Sequence, residues 1–178
     1  MNYRRVYQPG GTFFFTLVTF NRNNYFSSQS NVEILGDAFR YVIKKHPFNM
    51  IAHVVLPDHL HVIWQLPEED QDYSTRWRLI KSYVSRYWNN QNRASDTIRF
   101  QQPQSFWQNR FWEHTIRNQF DLDKHIDYIH YNPVKHMLVE DPLKWKYSSI
   151  GKYLDEGSYT EDWGKAEPAD IFKGVAGE

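Results

Sequence analysis

The chain has 178 residues, 17% of them aromatic, and no cysteine, which suits one domain with a real core and excludes disulfides, thiolate metal sites and thiol nucleophiles. The start "MNYRRVYQPGG" holds no apolar leader and no run approaches a bilayer span, so a cytoplasmic protein without a membrane partner is expected. The 21 basic and 21 acidic side chains cancel overall, which excludes a uniformly basic nucleic-acid binder but not a charge-divided one.

In chain order, "GGTFFFTLVTF" reads as a strand between glycines and the polar "NRNN". "SNVEILGDAFRYVIKKHP" reads as a helix, with Ser30 as N-cap, Glu33 at the capping-box position and Pro47 past its end. "FNMIAHVVL" and "HLHVIWQL" read as a hairpin around the turn Pro57-Asp58. "YSTRWRLIKSYVSRYWNN" reads as a second helix whose apolar face is Trp77, Ile80, Val84, Tyr87 and Trp88.

Residues 89–105 are polar and read as a loop, "FWQNRFWEHTI" as a strand, and "DLDKHIDYIHYNPVKHML" as a third helix with Ile126 and Ile129 facing inward. The order β-α-β-β-α-β-α predicts an α+β fold: a ferredoxin-like, RRM-like split βαβ with an antiparallel sheet and helices on one face. The second face is then open to a ligand.

Charge sets the expected boundary. Residues 155–178 carry seven acidic side chains and two lysines, so 19 basic and 14 acidic residues, a net +5, remain in 1–154. One catalytic domain over 1–154 and an acidic, partly irregular tail over 155–178 are expected. A basic body suits nucleic-acid binding, and residues 73–95 hold five basic side chains and no acidic one.

Two imidazoles interrupt the apolar run "VVLPDHLHVIW". On a strand, His59 and His61 share a face with Ile63, while Leu60, Val62 and Trp64 take the other. They are either polar residues of a half-exposed strand or two ligands of one ion. The third helix offers a further set on one face: His125, Tyr128 and Asn132, spaced i, i+3, i+7.

The blocks "LPDHLHVIW", "RFWEHTIR" and "YIHYNPVKH", with "YRRVYQPGGTFFFT" and "KWKYSS", resemble the HUH single-tyrosine transposases and, within them, the REP-associated tyrosine transposases of bacteria. The resemblance spans roughly residues 3–165. It implies that His59, His61 and Asn132 bind a divalent metal, Mg²⁺ or Mn²⁺, and that Tyr128 is the nucleophile. Tyr131 stands in the same block, but about 300° round the helix from Tyr128, away from Asn132. Ligand preference alone leans to Mn²⁺ or Zn²⁺.

The reaction implied is transesterification on single-stranded DNA through a 5′-phosphotyrosine, beside REP-type palindromic hairpins, by a monomer or homodimer. The ester energy stays in the covalent link, in keeping with a sequence that has no G-x-x-x-x-G-K-[ST] loop. His125 is the candidate proton acceptor, with His114 as possible catalytic support. Arg4, Arg5, Arg78, Arg86 and Arg110 are candidates for phosphate contacts, and Trp112, with Trp107, for base stacking. A hairpin-binding protein without useful cleavage is the rival reading. A metal-dependent hydrolase that uses water ranks last, because Asp58 is the one carboxylate beside the histidines.

Overall fold

The computed structural model describes residues 8–92 and 105–165. Four strands, β1 (Thr12–Val18), β2 (Asn49–Val55), β3 (His59–Gln65) and β4 (Trp112–Thr115), form one sheet in the order β2-β3-β1-β4. All three pairings are antiparallel, so the predicted α+β, ferredoxin-like arrangement is present. Gly10 (φ 66°) turns the chain into β1, with its N–H on the carbonyl of Pro67; the left-handed φ favours glycine there.

The first face of the sheet presents Phe13, Phe15, Leu17, Leu60, Val62 and Trp64. Helices α1 (Gln29–Lys45) and α2 (Tyr73–Asn92) cover it. They bury Leu35, Ala38 and Val42 from α1 and Tyr73, Trp77, Ile80 and Val84 from α2, the i, i+3, i+4 stripe of an amphipathic helix. Trp64 and Trp77 stack with centroids 4.4 Å apart. Arg76, only 2% exposed, ties α2 to the α1–β2 turn: it bonds Asp70 and donates to the carbonyls of His46 and Pro47.

The second face is not left open. Helix α3 (Gln119–Lys135) packs its Ile126, Tyr128 and Ile129 against Phe14, Ala52, Val54 and Ile63. On this face β1 offers Phe14 and Thr16 and β3 offers His59, His61 and Ile63, all buried, so the sheet is covered on both sides and the second side is partly polar. The short helix α4 (Ile150–Asp155) follows, and Tyr159 and Trp163 stack with centroids 4.0 Å apart next to His130 of α3. Part of the expected tail is therefore packed; residues 166–178 lie outside the described region.

Some boundaries differ from the sequence reading. Ser28, not Ser30, caps α1, and no side-chain capping bond forms; Glu33 instead accepts from Gln29 (2.8 Å). The fourth strand shrinks to four residues: Phe106 and Trp107 bury their side chains in the first core, and their backbone keeps only an isolated antiparallel bridge, Trp107 to Thr19, just past the end of β1. Helix α3 begins earlier, capped by Asn118, whose side chain accepts from the Asp121 N–H (2.9 Å).

Candidate active site

The site is built where β3 meets α3. A tight turn closes from Leu56 N–H to the His59 carbonyl (2.8 Å) and sets the start of β3. From there His59 and His61 point to the second face, as strand alternation requires. Both are buried, at 1% and 0% exposure. Their ring centroids lie 5.0 Å apart.

Each imidazole is oriented through Nδ1. His59 Nδ1 bonds Asp58 Oδ1 (2.5 Å), and Arg22 bonds the other Asp58 oxygen (2.9 Å). Burial would raise the Asp58 carboxyl, but His59 and Arg22 outweigh it and bring the group down to about 2. An ionised Asp58 fixes the proton on His59 Nδ1 and leaves the lone pair on Nε2. His61 Nδ1 bonds Thr16 Oγ1 of the neighbouring strand (2.8 Å), its direct cross-strand partner. Arg22 is delivered by two successive left-handed residues, Asn21 (φ 53°) and Arg22 (φ 52°); such conformations carry a cost and cluster at functional sites.

Helix α3 supplies the rest. Tyr128 packs edge to face on His61, with centroids 5.2 Å apart and planes 70° apart. Asn132, one turn on, is fully buried, and the helix runs through Pro133 to Lys135 without losing this shared face. Pro133 lacks the N–H that this position would give to the Ile129 carbonyl, and the helix ends two residues later, at Lys135. Nε2 of His59, Nε2 of His61 and Oδ1 of Asn132 are buried and take part in no hydrogen bond, although each residue is held by other contacts. Two imidazole nitrogens and an amide oxygen are a donor set suited to a divalent ion.

Two neighbours went unnoticed in the sequence. Lys135 Nζ donates to Tyr128 Oη (3.3 Å) and lies 5.0 Å from the ring centroid. The His136 ring lies 5.0 Å from that of His59. The i, i+7 spacing of Tyr128 and Lys135 was the signal for the first; the cap position of His136 carried none.

The expected helpers sit in a separate cluster. His125 Nδ1 bonds the Asp121 carbonyl (2.7 Å), and His114 Nε2 bonds Asp121 Oδ2 (2.9 Å). Their donor atoms and an Asp121 oxygen lie within 4.8 Å of one another, so the trio is a second candidate for a cation. The two imidazoles, however, are stacked at 4.6 Å and 11°. A ring directs its lone pair within its own plane, so stacked parallel rings do not aim at one ion without turning. Hydrogen bonding to Asp121 accounts for the trio as it stands.

The sheet divides the other candidates. Trp112 lies on the second face, 5.7 Å from Phe14. Trp107 is 3% exposed within the first core, which removes it as a stacking platform. Arg110 is exposed at the entry to β4, whereas Arg78 and Arg86 are exposed on α2, across the sheet from Tyr128. Arg4 and Arg5 lie outside the described residues.

The family model described as "Transposase IS200 like" matches residues 11–132. The REP-associated tyrosine transposase of Escherichia coli (strain K12) is 39% identical over 176 residues, covering 99% of this chain and 96% of that protein. A Haemophilus influenzae protein bearing the same family name is 39% identical over 164 residues, covering 92% and 93%. A solved structure of a REP-associated tyrosine transposase bound to a REP hairpin superposes with a TM-score of 0.81 at 38% identity, covering 100% of this chain and 97% of the other.

Proposed function

The chain belongs to the IS200-like transposases and is a tyrosine transposase, and from that premise we propose that it nicks and rejoins single-stranded DNA beside palindromic hairpins through a 5′-phosphotyrosine on Tyr128. The observation that carries this reading is the edge-to-face contact of Tyr128 with His61, itself beside His59. A nucleophile and the imidazoles of the strand share one buried centre.

The step follows from the groups present. Tyr128 Oη attacks a backbone phosphorus; an Oη–P bond forms and the P–O3′ bond breaks. The phenolic proton leaves to solvent, and the departing 3′ oxygen takes one up. A second 3′-hydroxyl reverses the reaction and joins strands. A phenol has a pKa near 10 and the phosphate repels it, so positive charge at the phosphate is needed. His59, His61 and Asn132 are the residues that would hold a divalent ion, Mg²⁺ or Mn²⁺, and the chemistry it supplies when bound is charge withdrawal from the phosphate oxygens. Asp58, Arg22 and Thr16 keep the two imidazoles in the tautomer and orientation this requires.

The hairpin is the proposed recognition element, supported by the related transposase solved with a REP hairpin. The test is incubation of a hairpin-bearing oligonucleotide with Mg²⁺ or Mn²⁺, followed by a denaturing gel. A covalent protein–DNA band that disappears in Tyr128→Phe is expected. Hairpin binding with no covalent band under either metal would favour a binding protein, and cleavage surviving Tyr128→Phe would favour a hydrolase.

A further inference from the structure

Tyr128 is only 2% exposed, yet its hydroxyl has to meet a phosphate. An exposed residue reaches that hydroxyl: Lys135, whose ammonium bonds Tyr128 Oη at 3.3 Å while lying 5.0 Å from the ring centroid. An anion approaching the phenol from solvent therefore meets this cation at the point of attack. The spacing is built in: Tyr128 and Lys135 are two helical turns apart on one face of α3. Helix α3 remains regular through Pro133 to Lys135 and caps with the His136 N–H on the Asn132 carbonyl (3.0 Å). The lysine is thus held on a fixed turn rather than on a loose end.

Resting on the reading of Tyr128 as nucleophile, we propose that Lys135 is a catalytic residue: its ammonium receives the scissile phosphate. It shifts from the phenol oxygen to a non-bridging phosphate oxygen as Oη bonds phosphorus. It moves no proton. Its part is fixed positive charge, placed where negative charge accumulates on the five-coordinate phosphorus before the P–O3′ bond breaks. Preorganised donors of this kind are each worth roughly 10²–10³ in rate. Lysine suits the role because a compact ammonium on a flexible stem can follow the oxygen from ground state to transition state.

The experiment compares two linkages at the cleavage position, once the covalent band has mapped it: the natural phosphodiester and an uncharged methylphosphonate. On the diester, Lys135→Ala is expected to form the covalent adduct about 100-fold more slowly than the parent protein. On the methylphosphonate, with no phosphate charge to meet, the gap is expected to shrink to a few-fold. Lys135→Arg should recover part of the diester rate, because it restores the charge. A metal-free readout is also available. In chelator, the parent should bind the diester oligonucleotide more tightly than the methylphosphonate, and Lys135→Ala should bind both alike.

An unchanged gap on the two linkages, or a Lys135→Ala rate equal to the parent's, overturns the proposal while a Tyr128-dependent adduct leaves the nucleophile assignment standing. No adduct in the parent, or an adduct that survives Tyr128→Phe, removes both.

Discussion

The imidazole of His61 and the phenol of Tyr128 meet edge to face at 5.2 Å, one from the central strand β3 and the other from the late helix α3. The contact depends on a sheet buried on both faces. Helix α3 can place its tyrosine over the histidines only because Phe14, Val54 and Ile63 give it an apolar bed.

The orienting carboxylate is the first place to probe this arrangement. Asp58→Asn removes the ionised acceptor that holds His59 Nδ1. Loss of such a partner typically weakens metal binding by about 10–100-fold. Titration calorimetry with Mn²⁺ should show that drop with little change in thermal stability; unchanged affinity would mean that Asp58 does not serve the site.

Phe14 is the common neighbour of the site. Its ring lies 5.4 Å from His61, 4.9 Å from His125 and 5.9 Å from Tyr128, and it is fully buried. Phe14→Ala is expected to cost about 3–5 kcal/mol in urea unfolding. Phe14→Leu should retain most of the stability but slow adduct formation, because a narrower side chain loosens Tyr128. Equal stability for Phe14→Ala and the parent would contradict this packing.

Much of this was legible beforehand, for definite reasons. Strand alternation placed His59 and His61 on one face and Leu60, Val62 and Trp64 on the other, since a period of two leaves no freedom once the register is set. Helical spacing likewise brought Tyr128 and Asn132 together. The layer on which α3 sits was not legible, because Phe13, Phe14 and Phe15 are all apolar and the pattern does not say which face a later helix will claim. The partners Thr16, Arg22 and Lys135 come from contacts across strands, turns and helix ends, which local periodicity does not encode. Trp107 looked like a stacking surface because composition does not separate core from exposed aromatics.

A buried network behind α3 gives the protein a pH signature. Tyr159 donates to Asp127 (2.7 Å), so His130 Nδ1 donates to the Tyr159 oxygen (3.0 Å) and His130 Nε2 accepts from Ser149 (2.8 Å). Burial, helped by His53, pushes His130 down to about 3; unfolded, a histidine titrates near 6.5. Between those values the unfolded chain takes the proton and the folded chain refuses it. Stability is therefore full above about pH 6.5 and falls as the pH drops towards 3, by up to about 1.4 kcal/mol per unit. His53 and His125, also lowered by burial, act with the same sign; Asp127, raised by burial, opposes them. Urea unfolding at pH 7.5 and 5.5 should show the decline, and His130→Gln should flatten it. An equal slope in the variant would contradict the assignment.

The position of the arginines makes a separate prediction. Arg78 and Arg86 project from α2, on the helical layer remote from Tyr128, whereas Arg110 stands at the entry to β4. Arg110→Ala is expected to lower the slope of log affinity against log salt by about 0.7, one phosphate contact on a single strand. Arg78→Ala and Arg86→Ala should leave that slope and the adduct yield unchanged. A loss in the α2 variants equal to that of Arg110→Ala would place DNA on the wrong layer for this account.

The most direct measurement is anomalous diffraction from crystals soaked in Mn²⁺. One peak is expected in contact with Nε2 of His59, Nε2 of His61 and Oδ1 of Asn132, beside the Tyr128 hydroxyl. A peak at His114, Asp121 and His125 instead, with the histidines of β3 bare at saturating metal, would contradict the account.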